Sequence, residues 1–96
     1  MKNLALSLVT EFIGTFIFLS VILGTGEALP IAVALAAVIF FGGKYSGGNF
    51  NPAVSFMMFL NNNLDLQTMV AYMLVQLIAA ATAYYFVTSA NKNKLF

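Results

Sequence analysis

Cysteine and histidine are both absent from this 96-residue chain. Their absence excludes disulfides, thiol chemistry and the usual zinc sites. Charge is nearly absent too: there are four basic residues, all lysine, and three acidic ones, for a net charge of +1. Glu11, Glu27 and Asp65 are scattered along the chain and make no hard-metal site. So small a charge is no footprint for nucleic acid, and no nucleic-acid partner and no cofactor are expected. The same poverty argues against an enzyme working in water. What fills the chain is apolar: hydrophobic residues make up 61% and charged residues 7%, which excludes an ordinary soluble domain and a disordered segment alike. The length allows one domain at most.

Residues 4–23 are a mostly apolar run, about 30 Å long as a helix and enough to span a bilayer. Lys2 ahead of this run imitates a signal peptide. The run is long, however, Glu11 interrupts it and no A-x-A site follows, so a retained span is expected. Gly24-Thr25-Gly26-Glu27 reads as a turn. A second span is expected over 29–45, with Pro30 in its first turn and Gly42 and Gly43 loosening its end. Ala32, Ala34, Ala36 and Ala37 permit close helix contact there. Asp65 suits the N-cap of a third span over 66–87, in which Ala79 and Ala83 form a small-xxx-small pair. Tyr84 and Tyr85 suit an interfacial aromatic belt, and Asn91-Lys92-Asn93-Lys94 reads as a solvated tail. No repeat is visible within the chain.

Between the second and third spans lies a polar, glycine-rich stretch, Ser46-Gly47-Gly48-Asn49-Phe50-Asn51-Pro52-Ala53-Val54-Ser55-Phe56. Asn51 can cap a helix with its side-chain oxygen, and Pro52 fits the first helical position, where no N–H is needed. Pro52 to Leu60 makes about 13.5 Å of helix, roughly half a hydrocarbon core. The expectation over 46–60 is a loop that dips into the membrane and returns as a half-helix. Irregular backbone at that depth survives only where it is packed in protein or lines a wet cavity, and half-helix N-termini near the midplane build small-solute sites.

At these residues the chain resembles the aquaporin and aquaglyceroporin family, the major intrinsic proteins. Their first repeat carries a re-entrant loop of the form Ser-Gly-x-x-x-Asn-Pro-Ala-Val, matched from Ser46 to Val54. Glu11-Phe12-Ile13-Gly14-Thr15-Phe16 resembles the family's first-helix signature, and Tyr72-Met73-Leu74-Val75-Gln76 its third-helix one. The fold implied is all-α: three transmembrane helices plus one re-entrant half-helix, one half of the aquaporin fold. The function implied is passive permeation of water or small uncharged solutes such as glycerol.

The resemblance also assigns roles. Asn51, of the Asn51-Pro52-Ala53 motif, donates its amide to a passing solute oxygen, and Gly47, Gly48 and Asn49 line the pore with backbone carbonyls. Many members carry His where Asn49 stands. Glu11 is costly inside a span and invites a functional reading such as a proton relay. The resemblance implies instead that the Glu11 carboxylate accepts N–H groups of the re-entrant loop and braces it, and that Gln76 is a structural hydrogen-bonder near mid-helix. Val54 stands where the family's second repeat has Arg, and this chain has no Arg. Ile31, where a pairing aromatic is expected, and Ile39 fall at the other wall positions. With Val54 they make the constriction candidates apolar and uncharged.

The family carries two inverted repeats, and this chain holds one. An odd number of spans puts the ends on opposite sides of the membrane. Lys2 and Lys44 fall on one side and Lys92 and Lys94 on the other, so no charge bias fixes the orientation. The expected partners are therefore the lipid bilayer, small uncharged solutes and a second, inverted copy. The pore unit is an antiparallel homodimer, for which the resemblance implies further grouping into a tetramer of such dimers. The expected location is the cell, or inner, membrane. Two rival readings stand beside this one: a dual-topology proton-coupled transporter using Glu11, and a non-conducting subunit of a larger channel.

Overall fold

The structure, a computed structural model, describes residues 3–93; Lys2 and Lys94 lie outside them. Four helices follow one another: α1 (Leu4–Thr25), α2 (Ala28–Ser46), α3 (Pro52–Leu60) and α4 (Leu66–Lys92), with no strand among the described residues. α1, α2 and α4 are long and apolar enough to cross a membrane. α3, at nine residues, is not.

Local chemistry sets the helix ends. Asn3 Oδ1 accepts from the Leu6 N–H at 3.1 Å to start α1, and Gly26 closes it in the left-handed region at φ 63°. Asp65 Oδ1 accepts from the Thr68 N–H at 2.8 Å to start α4. Pro30 sits in the first turn of α2, where a missing N–H leaves no helical bond unmade.

Three boundaries differ from expectation: α1 runs on to Thr25, so Gly24 and Thr25 are helical and only Gly26 and Glu27 make the turn. α2 runs straight through Gly42 and Gly43 to Ser46 before Gly47 (φ 93°) caps it. Gly42 is a packing residue, not a loosened end: a Cβ there would lie 3.0 Å from the Phe50 ring and 3.0 Å from the Thr10 methyl. α4 continues to Lys92, so Asn91 and Lys92 belong to the helix and not to a tail. Val87 and Ala90 stay buried there, extending the seam that Phe86 makes with Phe16, whose ring centroids are 5.4 Å apart.

α1 is the centre of the bundle, packing on α2 and on α4, while α3 packs on α4. Contacts fix the directions. Glu11 meets Gln76 and Phe16 meets Phe86, so α1 and α4 run parallel; Ser7 meets Tyr45, so α2 runs against them. On α4 the buried residues Met69, Tyr72, Gln76, Ala79, Ala83, Val87 and Ala90 recur every three or four positions, one seam of a helix. Against it lie Ser7, Glu11, Gly14 and Thr15 of α1. Small and polar residues are inside, while Leu29, Phe40 and Phe41 are 74%, 79% and 70% exposed. That inversion suits lipid, where tails solvate large apolar groups and small residues let helices approach. The protein is an all-α integral membrane protein.

Candidate functional site

The segment joining α2 to α3 is not helical, yet Asn49 and Phe50 within it are buried, as is Ser46 at the end of α2. Buried backbone donors need acceptors, and here one side chain supplies most of them. Glu11, wholly buried in the middle of α1, accepts from the Phe50 N–H at 2.7 Å and Gln76 Nε2 at 2.9 Å on Oε1. Its Oε2 accepts from the Asn49 N–H at 3.0 Å and the Ser46 hydroxyl at 2.6 Å. The Ser46 hydroxyl in turn accepts from the Gly48 N–H at 3.2 Å. Gln76 also donates to Ser55 Oγ at 2.8 Å, and so does Asn49 Nδ2 at 3.1 Å. The loop backbone, α1, α3 and α4 are thus tied by one carboxylate, two side-chain amides and two hydroxyls.

The end of α2 is fixed by the same logic. Its last carbonyls have no helical partner. The Ser7 hydroxyl donates to the Tyr45 carbonyl at 2.8 Å and the Tyr72 hydroxyl to the Ser46 carbonyl at 2.7 Å. Phe50 supplies the apolar anchor. It is 1% exposed, sits in the left-handed region at φ 53°, and drives its ring into a notch between α1 and α2. A Cβ on Gly14 would run into Cε1 of that ring and lie 2.5 Å from Cδ1, so the notch exists only with glycine. On the other flank, Gly48 (φ 72°) lies against α2: its added Cβ would meet Gly43 Cα at 3.4 Å and Ile39 Cγ2 at 3.6 Å.

The half-helix begins where this loop ends. Asn51 Oδ1 caps α3 by accepting from the Ala53 N–H at 2.8 Å, and Pro52 is the first helical residue. Asn51 is exposed, and among the described residues its Nδ2 has no acceptor. No protein donor reaches the carbonyls of Gly47, Gly48 or Asn49 among the described residues. The Asn49 side chain is turned inward to Ser55.

The structure therefore brings Glu11, Gln76, Asn49 and Ser55 into one network and hangs Asn51, Pro52 and Ala53 from it. Ile39 touches the same loop at Gly48, while Ile31 and Val54 are half-buried on α2 and α3, helices that do not pack on each other. The sequence alone assigned no role to the side chains of Ser7, Ser46, Ser55 and Phe50. Ser7 with Glu11, and Tyr72 with Gln76, are polar pairs four apart in apolar spans, a spacing that marks one inward helix face. Phe50 carried no such signal among ten phenylalanines.

The family model described as major intrinsic protein matches residues 2–95. The glycerol uptake facilitator protein-like 6 of Lactiplantibacillus plantarum is 39% identical over 83 residues, which cover 76% of this chain and 38% of that protein. A probable aquaporin of TIP type from Medicago truncatula is 32% identical over 103 residues, 84% of this chain and 41% of its own. The lens fiber major intrinsic protein of Gallus gallus is 30% identical over 99 residues, 88% of this chain and 38% of its own. No solved structure matches significantly. The chain thus spans less than half the length of these relatives. With the match running over nearly every residue, and the glycines, carboxylate and half-helix arranged as described, the chain belongs to the major intrinsic protein family.

Proposed function

We propose that the chain forms one half of a passive channel for water and small uncharged solutes such as glycerol. A second copy, inserted upside down, supplies the other half of the pore wall. The observation that carries this reading is α3. It is a half-length helix entered from a buried loop, capped by Asn51 Oδ1 while Nδ2 of the same amide is left unbonded and exposed. That Nδ2 is a donor for a passing solute oxygen, and the open carbonyls of Gly47, Gly48 and Asn49 are acceptors.

Glu11 and Gln76 act as the brace that holds this strip in place. Each Glu11 oxygen already accepts from two donors, which supports a structural role over a relay. The N-terminus of α3 carries roughly half a positive charge. Two such ends meeting on a two-fold axis would repel cations, as half-helix dipoles do in aquaporins, the family from which this step is taken. Ile31, Ile39 and Val54 make the constriction apolar and uncharged, which supports passage of glycerol beside water. Glycerol and water are also what the names of the bacterial and plant relatives point to.

The balanced lysines support insertion in both orientations. The larger grouping proposed is four such pores. Helical spans, where outer-membrane proteins use closed strands, support placement in the cell, or inner, membrane.

The test is stopped-flow permeation in liposomes holding this chain alone. Passage of water and glycerol supports the reading. Water without glycerol removes the broad solute range. No permeation at all removes the homodimer and leaves the partner-subunit alternative, in which a different protein supplies the missing wall.

A further inference from the structure

An end of each of the four helices comes to one cavity beside the re-entrant loop. It measures about 500 Å³ and is lined by Leu4 at the start of α1, Gly47 just after α2, Met58 in the last turn of α3 and Asp65 just before α4. Leu64 joins Leu4 and Met58 as apolar wall, and Asn49 of the loop lines it too. Two helices start here and two end here, so their partial charges, roughly half a unit each, cancel in pairs. What remains is the full negative charge of Asp65. Among the described residues no lysine lines the cavity.

The polar part of the wall presents oxygen. Four hydroxyls line it, and each gives its proton to the protein. Ser7 donates to the Tyr45 carbonyl at 2.8 Å, Tyr72 to the Ser46 carbonyl at 2.7 Å, Ser46 to Glu11 Oε2 at 2.6 Å, and Thr68 to the Asp65 carboxylate. Lone pairs are what such hydroxyls have left to offer. Among the described residues no protein donor reaches the carbonyls of Gly47 and Asn49. The Asp65 carboxylate keeps acceptor capacity beyond its bonds to Thr68. Asn63 and Gln67 add side-chain amides, which offer an oxygen as readily as an N–H.

We propose that this cavity binds a primary alkylammonium ion, its head donating to Asp65 and to the open loop carbonyls, its alkyl body against Leu4, Met58 and Leu64. An ammonium head has three donors and no acceptor, the complement of a wall that offers acceptors and one negative charge. Calcium instead takes about six to eight oxygens, and among the described residues no three acidic or other metal-ligating side chains gather. A neutral alcohol leaves the charge unanswered. Free amines and ethanolamine lipid headgroups carry the same ammonium, and the test separates them. Binding is read without any flux, so its failure and a failure of permeation are distinct.

The experiment is an NMR titration of the isotope-labelled chain in phosphatidylcholine nanodiscs with n-butylammonium. Two controls accompany it: n-butanol, which lacks the charge, and tetramethylammonium, which lacks the N–H donors. We expect butylammonium to shift the amide signals of Gly47, Asn49 and Thr68 saturably and to bind more tightly than either control. Asp65→Asn should weaken it about fivefold, the worth of one exposed ion pair. That variant keeps a capping oxygen, so the start of α4 holds. Lys92→Gln, at the far end of α4, should leave binding unchanged. In nanodiscs containing phosphatidylethanolamine, weaker butylammonium binding assigns the headgroup as occupant and unchanged binding a free amine; both uphold the ammonium site. The absence of a saturable shift overturns the proposal. So does equal binding of either control, or equal binding by Asp65→Asn.

Discussion

At the scale of single residues, two side chains do opposite work on one loop. Glu11 supplies acceptors to backbone that has no strand or helix to pair with, and Phe50 supplies the ring that fills the glycine notch. Glu11→Ala should orphan the N–H groups of Asn49 and Phe50, at about 1–3 kcal/mol each. Detergent-solubilised protein should melt earlier, and reconstituted vesicles should lose permeation with it. Glu11→Gln keeps an acceptor oxygen and should weaken the protein without stopping flux. A stable and fully active Glu11→Ala protein would show that the loop does not need its carboxylate. Gly14→Ala should destabilise by about 1–3 kcal/mol, because the new methyl occupies space held by the Phe50 ring. Combining it with Phe50→Leu should recover part of that loss in a denaturation series. Plain additivity of the two changes would deny the contact.

At the scale of elements, α3 is too short to be stable by itself, and its cap matters accordingly. Asn51→Ala should cost about 1 kcal/mol through the lost cap. Asn51→Asp keeps a capping oxygen but has no amide donor. It should melt like the parent while solute flux falls, and unchanged flux in that variant would remove Asn51 Nδ2 from the proposed pore. α4 offers a pH test. The Thr68 hydroxyl and then the Thr68 N–H hold the Asp65 carboxyl below its ordinary value. Because the folded pKa is the lower one, the cap's stabilisation is present above the unfolded value near about 4 and is lost as pH falls through the folded one. Thermal unfolding against pH should therefore show the parent ahead of Asp65→Ala at neutral pH, with the two converging below about pH 4.

At the scale of the whole molecule, three spans along a 43 Å axis leave residues 3 and 93 on opposite faces of a membrane. An inverted pair requires both orientations in one membrane. A cysteine placed at Asn93, in a chain with no other, should react with impermeant maleimide from both sides of intact cells in roughly equal shares, as the balanced lysines imply. Labelling from one side only would exclude the antiparallel homodimer. Two lysines added at one end should tilt that balance and lower flux with it.

The helices and their starts were legible in the sequence because they depend on composition and on partners a few residues away. Asp65 and Asn51 each bond an N–H two or three positions on, and Pro30 and Pro52 fit first turns by their own geometry. The span lengths follow from apolar runs that any lipid environment would read alike. The resemblance at Ser46 to Val54 named the family, but a spacing does not say which donor meets which acceptor. Glu11 meets N–H groups 38 and 39 residues away, and Gln76 reaches it from 65. Those pairings exist only once α1 lies between α2 and α4, so tertiary packing chose them. Gly42 shows the same limit: its sequence reads as a helix breaker, and only the Phe50 ring beside it makes it a contact. In the low dielectric of a membrane every loop N–H must find an acceptor, and what lies within reach of each is decided in three dimensions.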